Sequence, residues 1–127
     1  MRLLSPAATV WQRLHAAALI DGITLLPQSG FRRVKRQAEI IRGKLAAGQT
    51  ITAILTTIAA PGYSEHHTGC ALDNASPEEP ALGAEFARTA ACTWLTVHAG
   101  RLGFRLSFPP DNPQGFVFEP WHWCWRT

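Results

Sequence analysis

Helical spacing of apolar residues dominates the beginning of the chain. In the segment TVWQRLHAAALIDG, the apolar residues that share one face of a helix are Val10, Leu14, Ala17 and Ala18. Gly22 follows them as a stop signal. The pattern predicts an amphipathic helix near the N-terminus.

The pattern then changes to a short strand and returns to helical spacing. ITLLPQSGF is a β-type run, and RVKRQAEIIRGKLAAG after it carries one apolar stripe made of Val34, Ala38, Ile41 and Leu45. Together these segments predict a strand–turn–helix unit. TITAILTTIAA is rich in β-branched residues and fits either state, but its place between Gly48 and Pro61 favours a short helix.

Strand-like patterns return in the second half of the chain. GCALDNA alternates, which predicts a strand with Gly69, Ala71 and Asp73 on one face and Cys70 and Leu72 on the other. FRLSFP, the loop PDNPQG and FVFEPWHWCW predict an antiparallel hairpin with aromatic faces.

A third helix is predicted between these strands, over residues 82–99, with Gly100 at its end. Its predicted inward residues are Phe86, Ala90, Thr93, Trp94 and Val97. Helices mixed with returning strands indicate an α+β fold, in which helices pack on a small antiparallel β-sheet.

The bulk composition fits one globular domain. The chain has 127 residues, 46% of them apolar, which is enough for one core and too few for two. We therefore expect a single domain over residues 1–127, acting as a monomer. No apolar run reaches the ~20 residues of a spanning helix, so no membrane span is expected. Cys70, Cys92 and Cys124 show no Cys-x-x-Cys spacing, which favours buried thiols over a zinc knuckle or a disulfide framework.

The net charge of +3 is concentrated in the first third of the chain, above all in FRRVKRQ. A nucleic-acid binder using Arg32, Arg33, Lys35 and Arg36 is one interpretation, but no recognised binding motif accompanies the run. A solvated helix face is favoured, and no nucleic-acid partner is expected. LLSPAATV is too short and proline-broken for a secretory signal. We expect a periplasmic or cell-envelope location if a leader outside this sequence exports the chain, and a cytoplasmic one otherwise.

Candidate chemistry centres on YSEHHTGCALD and EPWHW. His66, Asp73 and His122 supply the two imidazoles and one carboxylate of a catalytic zinc site, which keeps a further position open for water. His66 and Asp73 alone are a weak signal, since two polar residues at a turn are the favoured explanation for this spacing by itself. Glu119, three residues before His122, strengthens the metal interpretation because it supplies a carboxylate beside the open position.

Strict strand alternation opposes this arrangement, so two bends are predicted. Glu119 precedes a proline and is expected to end a strand, which points it and His122 to opposite faces unless the chain bends at Pro120. His66 and Asp73 also differ by an odd number of positions, and Gly69 allows a turn between them.

Other candidate features receive simpler interpretations. His15 is interpreted as helix packing, and His98 as a residue that complements the dipole at a helix end. Trp121, Trp123 and Trp125 are interpreted mainly as core or sheet residues, with Trp121 as a candidate wall of a substrate pocket. A Gly-x-Ser-x-Gly elbow, a phosphate loop and a dinucleotide fingerprint are absent from the sequence, which argues against serine or cofactor chemistry.

The motifs resemble a known enzyme family. SEHHTGCALD matches Ser-x-His-x-x-Gly-x-Ala-x-Asp, EPWHW matches Glu-x-x-His, and SGFRRVKRQ is similar to a Ser-Gly-Tyr/Phe-Arg segment with a downstream glutamine. These are the signatures of VanY-type D-alanyl-D-alanine carboxypeptidases, bacterial zinc peptidases related to VanX-like dipeptidases. The resemblance covers about residues 10–127 and implies a hedgehog/DD-peptidase-like fold.

The resemblance also implies roles for individual residues. His66, Asp73 and His122 would bind one zinc ion, Glu119 would be the catalytic base, and Arg32 would meet the substrate near the scissile carbonyl. Ser64 and Gln37 match positions that line the substrate pocket. His67 falls at a variable position and receives no metal role. Phe31 and Arg33 depart from the tyrosine and small residue that are common in the family, which bears on substrate preference.

The implied activity is hydrolysis of the terminal D-Ala-D-Ala bond of peptidoglycan stem peptides or their fragments. Three alternatives stay open: a peptidoglycan endopeptidase, a D,D-dipeptidase, and a non-catalytic zinc-containing binding module. The last is disfavoured because a purely structural zinc needs no base such as Glu119.

Overall fold

Local sequence signals set the helix ends in the computed structural model, which describes residues 2–126. Thr50 and Thr89 each cap a helix, since their hydroxyls accept hydrogen bonds from the N–H groups of Ala53 and Cys92. The α-helices are α1 (Ser5–Ile20), α2 (Val34–Ala46), α3 (Ile51–Ile54) and α4 (Ala90–His98). Short 3-10 helices cover Glu65–Thr68, Ala84–Arg88 and Ala99–Leu102.

Four short strands form one antiparallel sheet with the order β1-β2-β4-β3. The strands are β1 (Leu26–Ser29), β2 (Ala71–Ala75), β3 (Phe104–Leu106) and β4 (His122–Trp125). The predicted α+β fold is confirmed. The N-terminal helix, the strand–turn–helix unit, the short helix in TITAILTTIAA and the pairing of the two C-terminal strands are also confirmed.

The central pair β2 and β4 separates the core from the site. Leu72 lies opposite Trp123, and Asp73 lies opposite His122. Because successive strand residues point to opposite faces, Leu72 and Trp123 share one face of the sheet, and Asp73 and His122 share the other.

The first of these faces is covered by α1 and α4. Leu72 and Trp123 belong to a buried cluster with Leu14 of α1 and Leu95 of α4. Phe86 of the preceding 3-10 helix is also fully buried in this cluster. The apolar side of the sheet therefore supports the fold, and its polar side stays available for chemistry.

The predicted helix over residues 82–99 is wrong in its length and its inward face. Thr89 has an extended backbone (ψ 155°) and divides the segment into a 3-10 helix and α4. The break changes the helical phase, so Ala91 and Leu95 are buried while Val97 is 69% exposed. Of the other predicted inward residues, Phe86 and Trp94 are buried, whereas Ala90 and Thr93 are exposed.

The predicted apolar stripe of α2 is also wrong in part. Ile41 is buried, but Val34 and Leu45 are 49% and 44% exposed. Gln37 is fully buried in their place, and its amide donates to the carbonyl oxygen of Ala59 at 2.7 Å. The inward side of α2 is thus partly polar, because it lies against the site and not only against the apolar core.

The strand β2 differs from the simple alternating pattern. It begins at Ala71, so Gly69 is not part of it, and all five of its residues are buried. Exposure therefore does not distinguish its two faces. Within the described residues, no helix is long and apolar enough to cross a membrane.

The prediction of buried thiols holds for two of the three cysteines. Cys92 and Cys124 are buried, Cys70 is half-buried, and all three are free. Burial raises the pKa of the Cys124 thiol to about 11, so this side chain stays protonated near neutral pH.

Candidate metal centre and active-site cleft

The register of the sheet brings the first two candidate ligands together. Asp73 and His122 are direct cross-strand partners, and Asp73 Oδ1 lies 3.0 Å from His122 Nδ1. These residues are 49 positions apart in sequence. A one-residue slip between β2 and β4 would turn the two side chains to opposite faces, so the register itself forms this part of the site.

His66 reaches the same point from the 3-10 helix Glu65–Thr68. The hydroxyl of Ser64 caps this helix by accepting from the His66 N–H, and Gly69 ends it with a left-handed backbone (φ 74°). A Cβ atom at Gly69 would lie 3.0 Å from the backbone nitrogen of Leu4. The predicted turn at Gly69 is thus confirmed, and it places His66 Nε2 3.3 Å from Asp73 Oδ2.

The three side chains fit a divalent metal ion. One candidate ligand atom from each of His66, Asp73 and His122 lies within 4.8 Å of the others, and all three residues are buried. Adjacent ligands in a tetrahedral site with bonds of about 2.0 Å are about 3.3 Å apart. His122 Nδ1 lies 3.0 Å from Oδ1 of Asp73 and His66 Nε2 lies 3.3 Å from Oδ2, so each imidazole is at about that distance from one oxygen of the carboxylate. Two imidazoles and a carboxylate form the donor set of a catalytic zinc site.

Glu119 lies beside these ligands because of a turn at Pro120 and Trp121. The His122 N–H donates to the carbonyl oxygen of Glu119 at 3.2 Å, and Glu119 Oε2 lies 4.0 Å from His122 Nδ1. The predicted bend at Pro120 is therefore confirmed. The expectation that Glu119 ends a strand is wrong, since it lies in an irregular segment before β4, with its N–H bonded to the carbonyl oxygen of Phe108.

Burial and the surrounding charges shift the acid–base properties of the cluster in different directions. Burial raises the pKa of Glu119 to about 7. Neighbouring charges have smaller effects, since the cations lower this pKa and the other carboxylates raise it. Burial also disfavours the charged forms of Asp73 and His122, but their mutual hydrogen bond and further polar contacts outweigh it. The pKa of Asp73 is consequently lowered to about 2, and that of His122 is raised to about 9. In the metal-free protein the two buried acids are thus shifted in opposite directions, Glu119 upward and Asp73 downward.

Arg32 faces the site from the connection between β1 and α2. Its guanidinium donates to Gln37 Oε1 at 2.9 Å and to Ser29 Oγ at 3.0 Å. Its backbone N–H donates to the carbonyl oxygen of His66 at 3.0 Å. Burial lowers the pKa of Arg32, while the carboxylates of Asp73 and Glu119 oppose that shift. The guanidinium is thus held rigidly near the two acids.

The remaining residues of the basic run behave as a solvated face. Arg33, Lys35 and Arg36 are exposed, and Arg36 forms an exposed ion pair with Glu39. Only Arg32 of the four cations is turned toward the candidate ligands.

A cleft of about 690 Å³ contains all the candidate site residues. Its lining includes His66, Asp73, His122, Glu119, Arg32, Ser64, Gln37 and Trp121. Trp121 lines this cleft, whereas Trp123 is buried in the core. Gln37 reaches the cleft, but both ends of its amide are bonded to protein atoms.

The histidines without a predicted metal role have structural contacts. His15 and His98 stack on Trp11 and Trp94, respectively, with ring centroids 5.0 and 4.8 Å apart. The ring of His67 contacts the backbone of Arg32 and Gly62. It therefore supports the loops around the cleft.

Glu65 is a site residue that the sequence reasoning missed. Its Oε1 lies 2.8 Å from His122 Nε2, on the side of the ring opposite Asp73. The sequence signal for it is weak, because an acidic residue at the start of a short helix is common for reasons of local stability.

The whole chain, residues 1–127, matches the family described as VanY D-alanyl-D-alanine carboxypeptidase. The chain belongs to this family. The resemblance inferred from the motifs is thereby confirmed. A D-alanyl-D-alanine carboxypeptidase of Enterococcus faecalis is 34% identical over 122 residues, which cover 88% of this chain and 44% of that protein.

Three solved structures share the fold of this chain. The chain superimposes on the LdcB LD-carboxypeptidase with a TM-score of 0.88 and 28% identity, over 97% of this chain and 58% of the other. A mutant of the D,D-pentapeptidase VanY in complex with Zn(II) superimposes with a TM-score of 0.80 at 32% identity, over 97% of this chain and 72% of the VanY chain. VanYB in complex with D-alanine-D-alanine superimposes with a TM-score of 0.77 at 32% identity, over 94% of this chain and 69% of VanYB.

The chain is shorter than these relatives. It spans less than half the length of the Enterococcus faecalis protein and 58% of the LdcB structure. The shared part is nevertheless the part that carries both site motifs, since the matches cover nearly all of this chain.

Proposed function

We propose that this protein is a zinc-dependent peptidase that hydrolyses the terminal D-Ala-D-Ala bond of peptidoglycan stem peptides or their fragments. The observation that carries the proposal is the convergence of His66, Asp73 and His122 with Glu119 in one cleft. Family membership supports it, as do the zinc ion in the related VanY structure and the D-alanine-D-alanine in VanYB.

His66, Asp73 and His122 are the proposed zinc ligands. Zinc held by such a donor set lowers the pKa of a coordinated water to about 7 and polarises a carbonyl group. Asp73 is suited to this role because its two oxygens face the two imidazoles, at 3.3 and 3.0 Å. Its negative charge also offsets part of the charge that a divalent ion brings into a buried site.

Glu119 is the proposed catalytic base. It accepts a proton from the attacking water and then delivers a proton to the amine that leaves. Its carboxyl group is buried beside the proposed ligands, within reach of a water at the metal position, and a side chain placed in this way can take and return a proton. Its distance of 4.0 Å from His122 leaves it beside the ligands without being one of the three.

Arg32 is proposed to stabilise the negative charge that develops on the scissile carbonyl oxygen. Its guanidinium is preorganised by Ser29 and Gln37, so little ordering is needed when the substrate binds. Gln37 thus contributes through Arg32, while Ser64 and Trp121 are proposed to contact the substrate from the walls of the cleft. Lys44 also lines the cleft and is a second cation suited to a terminal carboxylate.

One buried cluster, with residues from α1, α4 and the sheet, supports the described part of the chain. We propose that residues 1–127 function as one domain, and that this domain acts as a monomer.

The test is incubation with a pentapeptide that ends in D-Ala-D-Ala, with product masses followed over time. We expect release of one alanine, its loss on addition of a chelator, and its recovery with zinc. Glu119→Ala should lose release while keeping zinc. Unchanged release by Glu119→Ala would contradict the role of the base, and release that resists the chelator would contradict the metal mechanism.

An L,D-carboxypeptidase is a second candidate, because LdcB superimposes on this chain with a TM-score of 0.88. A tetrapeptide with one terminal D-alanine on an L-residue separates the two activities. The free dipeptide D-Ala-D-Ala and a cross-linked muropeptide test the dipeptidase and endopeptidase alternatives in the same assay. The preferred proposal requires the pentapeptide to be the best substrate of the four.

A further inference from the structure

The imidazole of His122 is held between two carboxylates, one at each ring nitrogen. Nδ1 lies 3.0 Å from Asp73 Oδ1, and Nε2 lies 2.8 Å from Glu65 Oε1. The residue is buried. The ring therefore has one orientation, and its two nitrogens have different partners.

The neighbouring His66 indicates which nitrogen of His122 faces the metal position. His66 Nδ1 lies 2.7 Å from the carbonyl oxygen of Gly30, and because a carbonyl only accepts, Nδ1 carries the proton. His66 Nε2 is then the ligand atom, and it faces Asp73. Since Asp73 also faces Nδ1 of His122, the point shared by all three residues lies on the Nδ1 side. Nε2 of His122 points away from it, to Glu65.

Glu65 is itself fixed in place. Its Oε2 accepts a hydrogen bond from Arg126 Nη2 at 2.8 Å. It is the first residue of the 3-10 helix that carries His66. The carboxylate thus presents one oxygen to the imidazole and the other to a guanidinium, and its position is tied to the neighbouring ligand.

We propose that Glu65 is a positioning residue for the metal site. It accepts a hydrogen bond from Nε2–H of His122, which keeps the proton on that nitrogen and leaves the lone pair of Nδ1 for zinc. Its negative charge also makes the imidazole a stronger donor to the ion. Arg126 keeps the carboxylate in the orientation that this requires. The inference rests on the proposed zinc site but not on the peptide that is cleaved.

Zinc affinity, measured without substrate by competition with a chromophoric chelator, tests this role. Loss of an outer-shell carboxylate of this kind typically costs 10–100-fold in metal affinity, so Glu65→Ala should fall in about that range. Glu65→Gln keeps an oxygen that accepts from Nε2–H but lacks the charge, so its affinity should lie between those of Glu65→Ala and the wild type.

Glu85 provides a matched control. It lies in the first turn of the 3-10 helix Ala84–Arg88 and forms an exposed ion pair with Arg88 at 3.6 Å, away from the cleft. Glu85→Ala should bind zinc like the wild type. A loss of affinity in Glu85→Ala equal to that in Glu65→Ala would mean that any such substitution weakens the site, and would overturn the inference.

A spectroscopic measurement distinguishes positioning from general stability. Long-range 1H–15N NMR of the zinc-loaded wild type should show His122 protonated at Nε2 and coordinated through Nδ1. Coordination through Nε2 would overturn the inference, as would wild-type zinc affinity in both Glu65 variants. Failure of the wild type to release alanine, with these zinc results obtained, would instead count against the proposed substrate alone.

Discussion

The two faces of the β2–β4 pair carry opposite kinds of residue at adjacent positions. Leu72 and Trp123 lie on the face covered by α1 and α4, whereas Asp73 and His122 lie on the face toward the cleft. Both pairs are buried, so burial alone does not separate them. Burial of the apolar pair stabilises the fold because apolar surface is removed from water. Burial of the polar pair costs free energy unless the two side chains form hydrogen bonds or bind an ion.

This difference shows how a small sheet supports a reactive site. The apolar face fixes the register, and the register then determines which polar side chains meet on the other side. Substitutions on the two faces should consequently have different effects. A substitution on the polar face should abolish activity while the protein stays folded, and a substitution on the apolar face should reduce stability.

His122 and Trp123 are consecutive residues of β4 whose side chains lie on opposite faces of the sheet. His122→Ala removes a proposed zinc ligand, so peptidase activity should fall by more than the ~10⁴-fold upper range for a general acid–base group, together with bound zinc. The metal-free variant should keep the circular dichroism of the wild type. Metal analysis, product masses and thermal melting measure this, and full zinc occupancy in the variant would contradict the assignment.

Glu119→Gln tests the polar face without removing a ligand. Loss of the general base should reduce kcat by about 10²- to 10⁴-fold. Zinc stoichiometry should be unchanged, because Glu119 is beside the ligands and not among them. Equal loss of zinc in this variant and in His122→Ala would show that Glu119 is itself a ligand.

Trp123→Ala tests the apolar face. Removing a buried aromatic side chain typically costs about 3–5 kcal/mol in the free energy of unfolding, which urea denaturation of the metal-free protein measures. Trp121→Ala is the matched comparison, since Trp121 is only partly buried and lines the cleft. Its loss of stability should be smaller, and its effect on KM larger, than those of Trp123→Ala.

The polar face should also make the stability of the metal-free protein depend on pH. In the metal-free protein the pKa of Glu119 is about 7 and that of His122 about 9, both above their ordinary values of 4.5 and 6.5. A raised pKa means that the folded state holds protons that the unfolded state releases. Stability from these groups is therefore present at low pH and lost as pH rises from 4.5 through about 9.

Asp73 acts at the acid end of the range. Its pKa is lowered to about 2 from 3.8, so its contribution is lost as pH falls from 3.8 through about 2. Thermal melting of the metal-free protein across pH 2–9 should thus show a maximum near pH 4. The decline above pH 6.5 should be weaker in His122→Ala, and a melting temperature that rises steadily from pH 5 to 9 would contradict this account of the polar face.

The sequence was sufficient for the parts of the site that depend on local chain geometry. Gly69 and Pro120 interrupt regular structure at two positions, and they were predicted because His66, Asp73, Glu119 and His122 otherwise point apart. The antiparallel sheet followed similarly from short alternating segments. Glycine and proline act on the backbone at their own positions. The bends can therefore be predicted from the sequence without knowing which residues meet in the fold.

Side-chain hydrogen bonds, some local and some between distant residues, decide the features that were missed. Thr89 breaks the predicted long helix because its hydroxyl caps α4, although its neighbours are good helix formers. Gln37 is buried because Ala59 and Arg32 satisfy its amide. Glu65 meets His122 across 57 residues of sequence. A contact between residues so far apart in sequence cannot be recognised from the local pattern of apolar and polar positions.

Anomalous diffraction at the zinc edge from crystals of the zinc-loaded protein tests the central claim most directly. The account predicts one strong peak within about 2.0–2.2 Å of a nitrogen of His66, a carboxylate oxygen of Asp73 and a nitrogen of His122, with Glu119 near the ion but outside bonding distance. A peak bound by other residues, or one that omits either member of the Asp73–His122 pair, would contradict it.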